Sequence, residues 1–238
     1  MAAYDLEEQE QIENFKAWWK QYGNRLTAAL CVIALTLAGW QGWRMYQNGQ
    51  SGEAGILFAA LQQAIGEDED GKNAAQVKSL TGELSEKYGG TAFAPLGVMT
   101  AARYALARGD AQEARLRFAW VAEQGEHELA DLARLRLAGL LLDAQEYDEA
   151  VKLLKHPRAE AFSAAYTELE GDAEAARGDF SAARKAYQTA LSLRKKERLG
   201  KAEELAGKGN DSDAIVTDSP LPVEILLEQK LDALGSEA

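Results

Sequence analysis

Between Arg25 and Arg44 the chain reads LTAALCVIALTLAGWQGW, eighteen residues from Leu26 to Trp43 without a charge. Coiled as a helix rising 1.5 Å per residue, this run is about 27 Å long, close to the roughly 30 Å of a bilayer core. Trp18, Trp19 and Tyr22 precede it, and Trp40, Trp43 and Tyr46 close it. Indole and phenol rings favour the headgroup region, where the ring is partly buried and its polar atom stays wet. The pattern predicts a single N-terminal transmembrane helix over residues 26–46, with those six aromatics in contact with membrane lipid. Two other readings compete. A cleaved signal peptide needs a short basic start, whereas residues 1–25 hold five acids against three bases, and a tryptophan-rich stretch follows the weak Thr36-Leu37-Ala38 cleavage pattern. A core helix of a soluble protein is the other, because eighteen residues is the short end of the spanning range.

Basic residues set the orientation of a span. Lys16, Lys20 and Arg25 stand before it, and Arg44 is the only base after it until Lys72. The N-terminus is therefore expected in the cytoplasm and residues 47–238 outside it, which in a Gram-negative bacterium means an inner-membrane protein with a periplasmic domain. Residues 1–46 carry five acids and four bases, a net −1, which leaves −11 of the chain's −12 on that outer domain. Such a domain is repelled by anionic lipid, and its acidity argues against a protein that coats nucleic acid. Within residues 1–25, Leu6, Ile12, Phe15 and Trp19 fall at helical spacing. They form the apolar face of a short amphipathic helix, either a docking helix for a partner or a positioning flank. Cys31 lies in the apolar run and, as the only cysteine, excludes an internal disulfide.

Asn48 to Gly52 is a polar hinge. Beyond it, helical apolar stripes alternate with short turns. Ile56, Ala60, Leu61, Ala64 and Ile65 mark the first stripe, and Val77, Leu80, Leu84 and Tyr88 the second. The acidic loop Glu67 to Gly71 between them lacks the glycine and terminal acid of a calcium loop and reads as a solvated turn. A repeat then emerges. RGDAQEA (108–114), AQEYDEA (144–150) and RGDFSAA (177–183) align, so that Gly109, Gln145 and Gly178 stand 36 and 33 residues apart. The tetratricopeptide period is about 34 residues. In each unit a Gly or polar residue ends helix A, and Ala114, Ala150 or Ala183 lets helix B approach closely; Tyr147 and Phe180 are expected to plug two of the turns. The units are degenerate: Val98, Arg134 and Thr167 stand where a large aromatic belongs early in helix A, and Pro157 cuts the middle helix B short.

The fold class that follows is all-α, a transmembrane helix and then an α-solenoid of tetratricopeptide-type helix pairs. The expected divisions are a cytoplasmic segment (1–25), the span (26–46), a hinge (47–52), the repeat domain (53–193), a charged extension and loop (194–219) and a capping helix (220–238). The last of these places Val223, Leu226, Leu227, Leu231 and Leu234 on one face, which either caps the final repeat or occupies a binding groove as a detachable helix.

No phosphate-binding glycine loop, serine elbow or zinc spacing occurs, and the two histidines, His127 and His156, have no ligand frame. No catalysis, cofactor or metal is expected. What a solenoid offers instead is a concave groove for a peptide segment. The helix A residues pointing away from the helix B stripe are Arg103, Tyr104, Arg134, Arg136 and Tyr166, the candidate groove residues.

The acidic N-terminal stretch with Phe15-Lys16, the Tyr22-Gly23 and Gly39-Trp40 boundaries of the span, and the repeat Gly178-Asp179 with Ala182-Ala183-Arg184 together resemble the YfgM-like family of ancillary SecYEG translocon subunits. Residues 195–219 are an insertion relative to that pattern. The resemblance implies an inner-membrane, non-catalytic, protein-binding subunit partnered by the SecYEG translocon and a membrane-anchored periplasmic prolyl isomerase of the PpiD type. Its clients would be unfolded or nascent polypeptides, handled as a chaperone would. An alternative keeps the same layout but makes the protein a stress-response regulator that acts through its cytoplasmic N-terminal segment.

Overall fold

The computed structural model describes residues 2–68, 71–207 and 221–235, with the backbone alone for 2–15, 17, 21, 24, 26, 46–48, 127 and 202–207. Among the described residues the fold is all helical, without a strand. The elements are α1 (Ala2–Gly66), α2 (Ala74–Lys87), α3 (Phe93–Ala107), α4 (Ala111–Gln124), α5 (His127–Asp143), α6 (Tyr147–Leu154), a 3-10 turn (Glu160–Phe162), α7 (Ser163–Ala176), α8 (Phe180–Gly207) and α9 (Pro222–Gly235). The chain divides into two compact units, Met1–Glu53 and Ala54–Ala238.

The first unit is the greater part of α1. Residues 47–52, read from the sequence as a hinge, are helical. Gly49 and Gly52 weaken a helix by about 1 kcal/mol each but remove no backbone donor, so the ladder continues through them. Leu30, Val32, Ile33, Leu35 and Leu37 are all more than half exposed, as are Trp40 and Trp43. Among the described residues no helix is long and apolar enough to cross a membrane.

The second unit is a stack of helix pairs held by successive small cores. Ala54, Leu61 and Ala64 of α1 meet Val77 and Leu84 of α2 and Ala101 of α3. Val98, Met99, Ala102 and Ala105 of α3 meet Phe118 and Val121 of α4 and Ala133 of α5. Leu141 of α5, Ala150 and Val151 of α6 and Ala173 of α7 form the next cluster, and Ala183, Tyr187 and Ala190 of α8 the last, closed by Leu227 and Leu234 of α9. Each cluster joins neighbours in the chain, which is how a solenoid distributes its stability. Ala114, Ala150 and Ala183 are fully buried, as close approach of helix B requires. Gly171 serves the same end, because a Cβ there would stand 2.5 Å from the Tyr187 ring. Of the two expected aromatic plugs, Phe180 is 41% exposed and fills no turn, whereas Tyr147 is half-buried.

Those turns repeat in backbone detail. Gly109, Gln145 and Gly178 have φ of 78°, 62° and 84°, in the left-handed region. In each turn the next residue's N–H reaches back to helix A: Asp110 to the Ala105 carbonyl (2.9 Å), Glu146 to Leu141 (2.8 Å), and Asp179 to Glu174 (2.9 Å). The left-handed residue itself donates to Leu106, Leu142 or Ala175. This is the Schellman arrangement three times over. Asp110 and Asp179 then cap the following helix, accepting from Glu113 N (3.0 Å) and Ala182 N (2.9 Å). Glu146, one methylene longer, instead forms a two-pronged pair with Arg115 at 2.6 and 2.7 Å.

Gln145 is the one strained member, since a left-handed side chain costs about 1–2 kcal/mol that glycine avoids. Gly109→Ala and Gly178→Ala are each expected to lower stability by roughly 1 kcal/mol, while Gln145→Gly raises it by up to about 1 kcal/mol after its unfolded-state entropy is counted. Denaturant unfolding of the detergent-solubilised full chain measures all three. A destabilising Gln145→Gly would contradict the account of the turn.

Candidate functional site

The A helices α3, α5 and α7 lie side by side and enclose a groove of about 490 Å³. Its floor is Leu106, Leu132, Leu135, Leu140 and Leu169, and its edge carries Arg136, Asp143, Glu168 and Asp172. The floor is leucine because α5 repeats that residue on two faces. Leu132 and Leu140 also pack on the core shared by α3, α4 and α5, and Leu135 with Leu169 beside Tyr166, so the floor is the half-buried upper side of those cores. The surface is a shallow apolar trough edged by three carboxylates and one guanidinium, suited to holding apolar side chains.

The five candidate groove residues separate. Arg136 lines the groove and is exposed. Arg103 is exposed on α3 but is not part of the lining. Tyr104 turns away, donating its hydroxyl to Asp68 with the Arg108 guanidinium 5.6 Å from its ring centre. That hydroxyl, then the Asn73 N–H, holds the Asp68 carboxyl below the usual carboxylate range, while burial followed by the Asp68 contact raises Tyr104. Arg134 bridges helices, donating to Asp131 Oδ1 and to the Ala122 carbonyl, both at 2.9 Å. Tyr166 is fully buried, so its place in a peptide groove is corrected: it fills the core beside Ala138 and Leu154.

Sequence reasoning missed Asp131, which is 3% exposed. Its carboxylate accepts from Arg134 and, at 2.8 Å, from Ala159 N in the segment after α6; its carbonyl accepts the Tyr166 hydroxyl at 3.0 Å. Because α6 ends at Leu154, the chain from Lys155 to Ala159 must be fastened to something, and Asp131 fastens it. The position was visible only as an acid on the stripe of Leu135 and Ala138, four and seven residues on.

On the opposite face, Leu116, Ala119, Leu137, Leu141 and Leu153 line a second cleft of about 700 Å³ left open by the short α6. Among the described residues no group of three His, Cys, Asp or Glu side chains could hold a metal ion. The acidic loop's Glu69 and Asp70 and the side chain of His127 lie outside them, as does that of Tyr46 among the membrane-interface candidates.

Two consequences follow for stability. Asp131→Ala strands Arg134 and the Ala159 N–H and should cost about 2–4 kcal/mol, whereas an exposed acid such as Glu123→Ala should cost less than about 0.5 kcal/mol. Burial, followed by the Asp131 charge, raises the Tyr166 pKa to about 12. A raised phenol favours the fold while it is protonated. Its contribution is therefore intact below about pH 10, the unfolded value, and is lost as pH rises through about 12. Tyr166→Phe should flatten that alkaline loss in a pH series of unfolding curves, and an unchanged slope would contradict it.

A family model described as tetratricopeptide repeat-like domain matches residues 16–208. Proteins named ancillary SecYEG translocon subunit are similar over most of the chain. The one from Haemophilus influenzae is 29% identical, covering 79% of this chain and 90% of its own. That of Neisseria gonorrhoeae is 29% identical over 84% and 95%, and that of Escherichia coli 24% over 77% and 87%. Among solved structures, MamA (41-end) from Desulfovibrio magneticus RS-1 aligns with a TM-score of 0.46 at 18% identity, over 75% of this chain and 97% of that one. The family model spans the last turn of the aromatic flank, the uncharged run and all three repeat turns, and the chain belongs to this tetratricopeptide repeat-like family, with the YfgM-type translocon subunits among its relatives.

Proposed function

We propose that this protein is a single-pass, non-catalytic subunit of the Sec translocon that holds segments of translocating polypeptides in its A-helix groove. The observation that carries the reading is the leucine-floored trough between α3, α5 and α7, open to solvent. The relatives' shared name supplies the translocon as the assembly. Residues 26–46 are the anchor in this reading. Leu30, Val32, Ile33, Leu35 and Leu37 point in all directions around α1 and are uncovered, a pattern that belongs to a helix in an apolar medium. Thr27 and Thr36 donate their hydroxyls to the carbonyls four residues back, at 2.7 and 2.8 Å, as such a medium requires. Trp18, Trp19, Tyr22, Trp40, Trp43 and Tyr46 hold the two interfaces.

With Lys16, Lys20 and Arg25 on the cytoplasmic side, the repeat domain stands in the periplasm. There its net acidity keeps it off the anionic membrane surface and beside the channel exit. A membrane-anchored prolyl isomerase of the PpiD type is the expected neighbour, taking over segments that the groove releases.

The test is affinity purification of the full chain from detergent-solubilised inner membranes. Sec channel subunits and the isomerase should co-purify with it. Leu132→Asp with Leu135→Asp should keep those partners while losing bound secretory polypeptide. Recovery of neither channel nor isomerase would overturn the reading.

A further inference from the structure

One end of the groove is already occupied by a cation from the same chain. Lys230 of α9 places its ammonium 2.7 Å from Asp172 Oδ1 and 3.3 Å from Glu168 Oε1, the two carboxylates that edge the groove on α7. The ammonium is also 5.4 Å from the centre of the Tyr187 ring, whose hydroxyl donates to the same Asp172 oxygen at 2.8 Å. The site therefore has the parts of a cation receptor: two carboxylates one helical turn apart, an aromatic face, and a leucine floor continuing along the trough.

The helix that supplies this lysine is anchored without it. Leu227 and Leu234 are buried against Ala183, Tyr187 and Ala190. Glu224 is fully buried and paired with Arg198 at 3.1 Å, and Arg184 donates to the Leu234 carbonyl at 2.8 Å. Lys230 keeps a quarter of its side chain in solvent, so its long stem can swing out while α9 stays in place. The helix also lies beyond residues 16–208, the part shared with the family.

Resting on the reading of the groove as a polypeptide site, we infer that it selects apolar segments bearing a lysine or arginine, whose cation replaces the Lys230 ammonium between Glu168 and Asp172. Lys230 is then an internal competitor that, together with Arg194 at 3.9 Å from the other Glu168 oxygen, neutralises the carboxylates when the groove is empty and so weakens basic clients. The groove thus holds apolar segments and favours those that carry a base.

The test uses the full chain in detergent and two fluorescent twelve-residue peptides of leucine, alanine and serine, one with a central lysine and the other with norleucine in its place. Lys230→Met should tighten binding of the lysine peptide about three- to fivefold, the range of a partly exposed ion pair, and leave the norleucine peptide unchanged. Glu168→Gln with Asp172→Asn, in a chain that keeps Lys230, should abolish any preference for the lysine peptide. If both peptides bind but Lys230→Met tightens them equally or not at all, or a lysine preference survives Glu168→Gln with Asp172→Asn, the competitor role is overturned and the groove reading stands. If neither peptide binds the wild-type chain or any variant, both fall.

Discussion

A single backbone feature, the left-handed residue that ends each A helix, sets the geometry of the repeat domain. At Gly109, Gln145 and Gly178 it lets the next N–H bond back to the carbonyl five residues earlier, so each chain reversal has the same angle. Identical reversals place Ala114, Ala150 and Ala183 at equivalent crossings, where their small side chains let helix B lie close to helix A. The A helices then fall side by side, and the leucines of α5 left half-buried between them become a groove floor. The site is thus a by-product of the turn.

The turn was legible because it is written locally. Spacings of 36 and 33 residues, a glycine or its polar substitute and a following small residue are enough to find it. Groove membership was less legible for a reason of geometry. Helical periodicity separates the face that packs on helix B from the rest, but it does not tell a solvent-facing residue from one covered by a segment distant in the chain. Tyr166 illustrates this. Its position on α7 reads as off the stripe, yet the early stop of α6 leaves a space beside Leu154 that only a ring fills, and Asp131 is waiting for its hydroxyl. Arg134 and Tyr104 were misread likewise, each bound to a carbonyl or carboxylate that no local pattern reveals. Asp131 shows the converse error, a buried acid that looks solvated until the chain after Pro157 returns to meet it.

The charge of the chain takes its meaning from its division into two units. Nearly all of the −12 lies on the helical stack, where it is spent partly in inter-helix pairs such as Arg115 with Glu146 and Arg198 with Glu224. These fix α4 to the α6 turn and α9 to α8. The hydrogen bond from Arg115 lowers Glu146 below its ordinary value and raises Arg115 in return, as a two-pronged pair should. The first unit carries almost no net charge and leaves its apolar side chains uncovered. This contrast in charge and in exposed apolar surface is what supports the proposed anchored-subunit reading.

The central claim is that polypeptide lies along the A-helix groove and not on the open cleft between α4 and α6. A photo-crosslinking residue placed at Leu135 on the groove floor, or at Leu116 in the opposite cleft, tests it in living cells during active secretion. The account predicts adducts with secretory polypeptides from position 135 and none from position 116. Adducts from 116 alone, or equally from both, would contradict it.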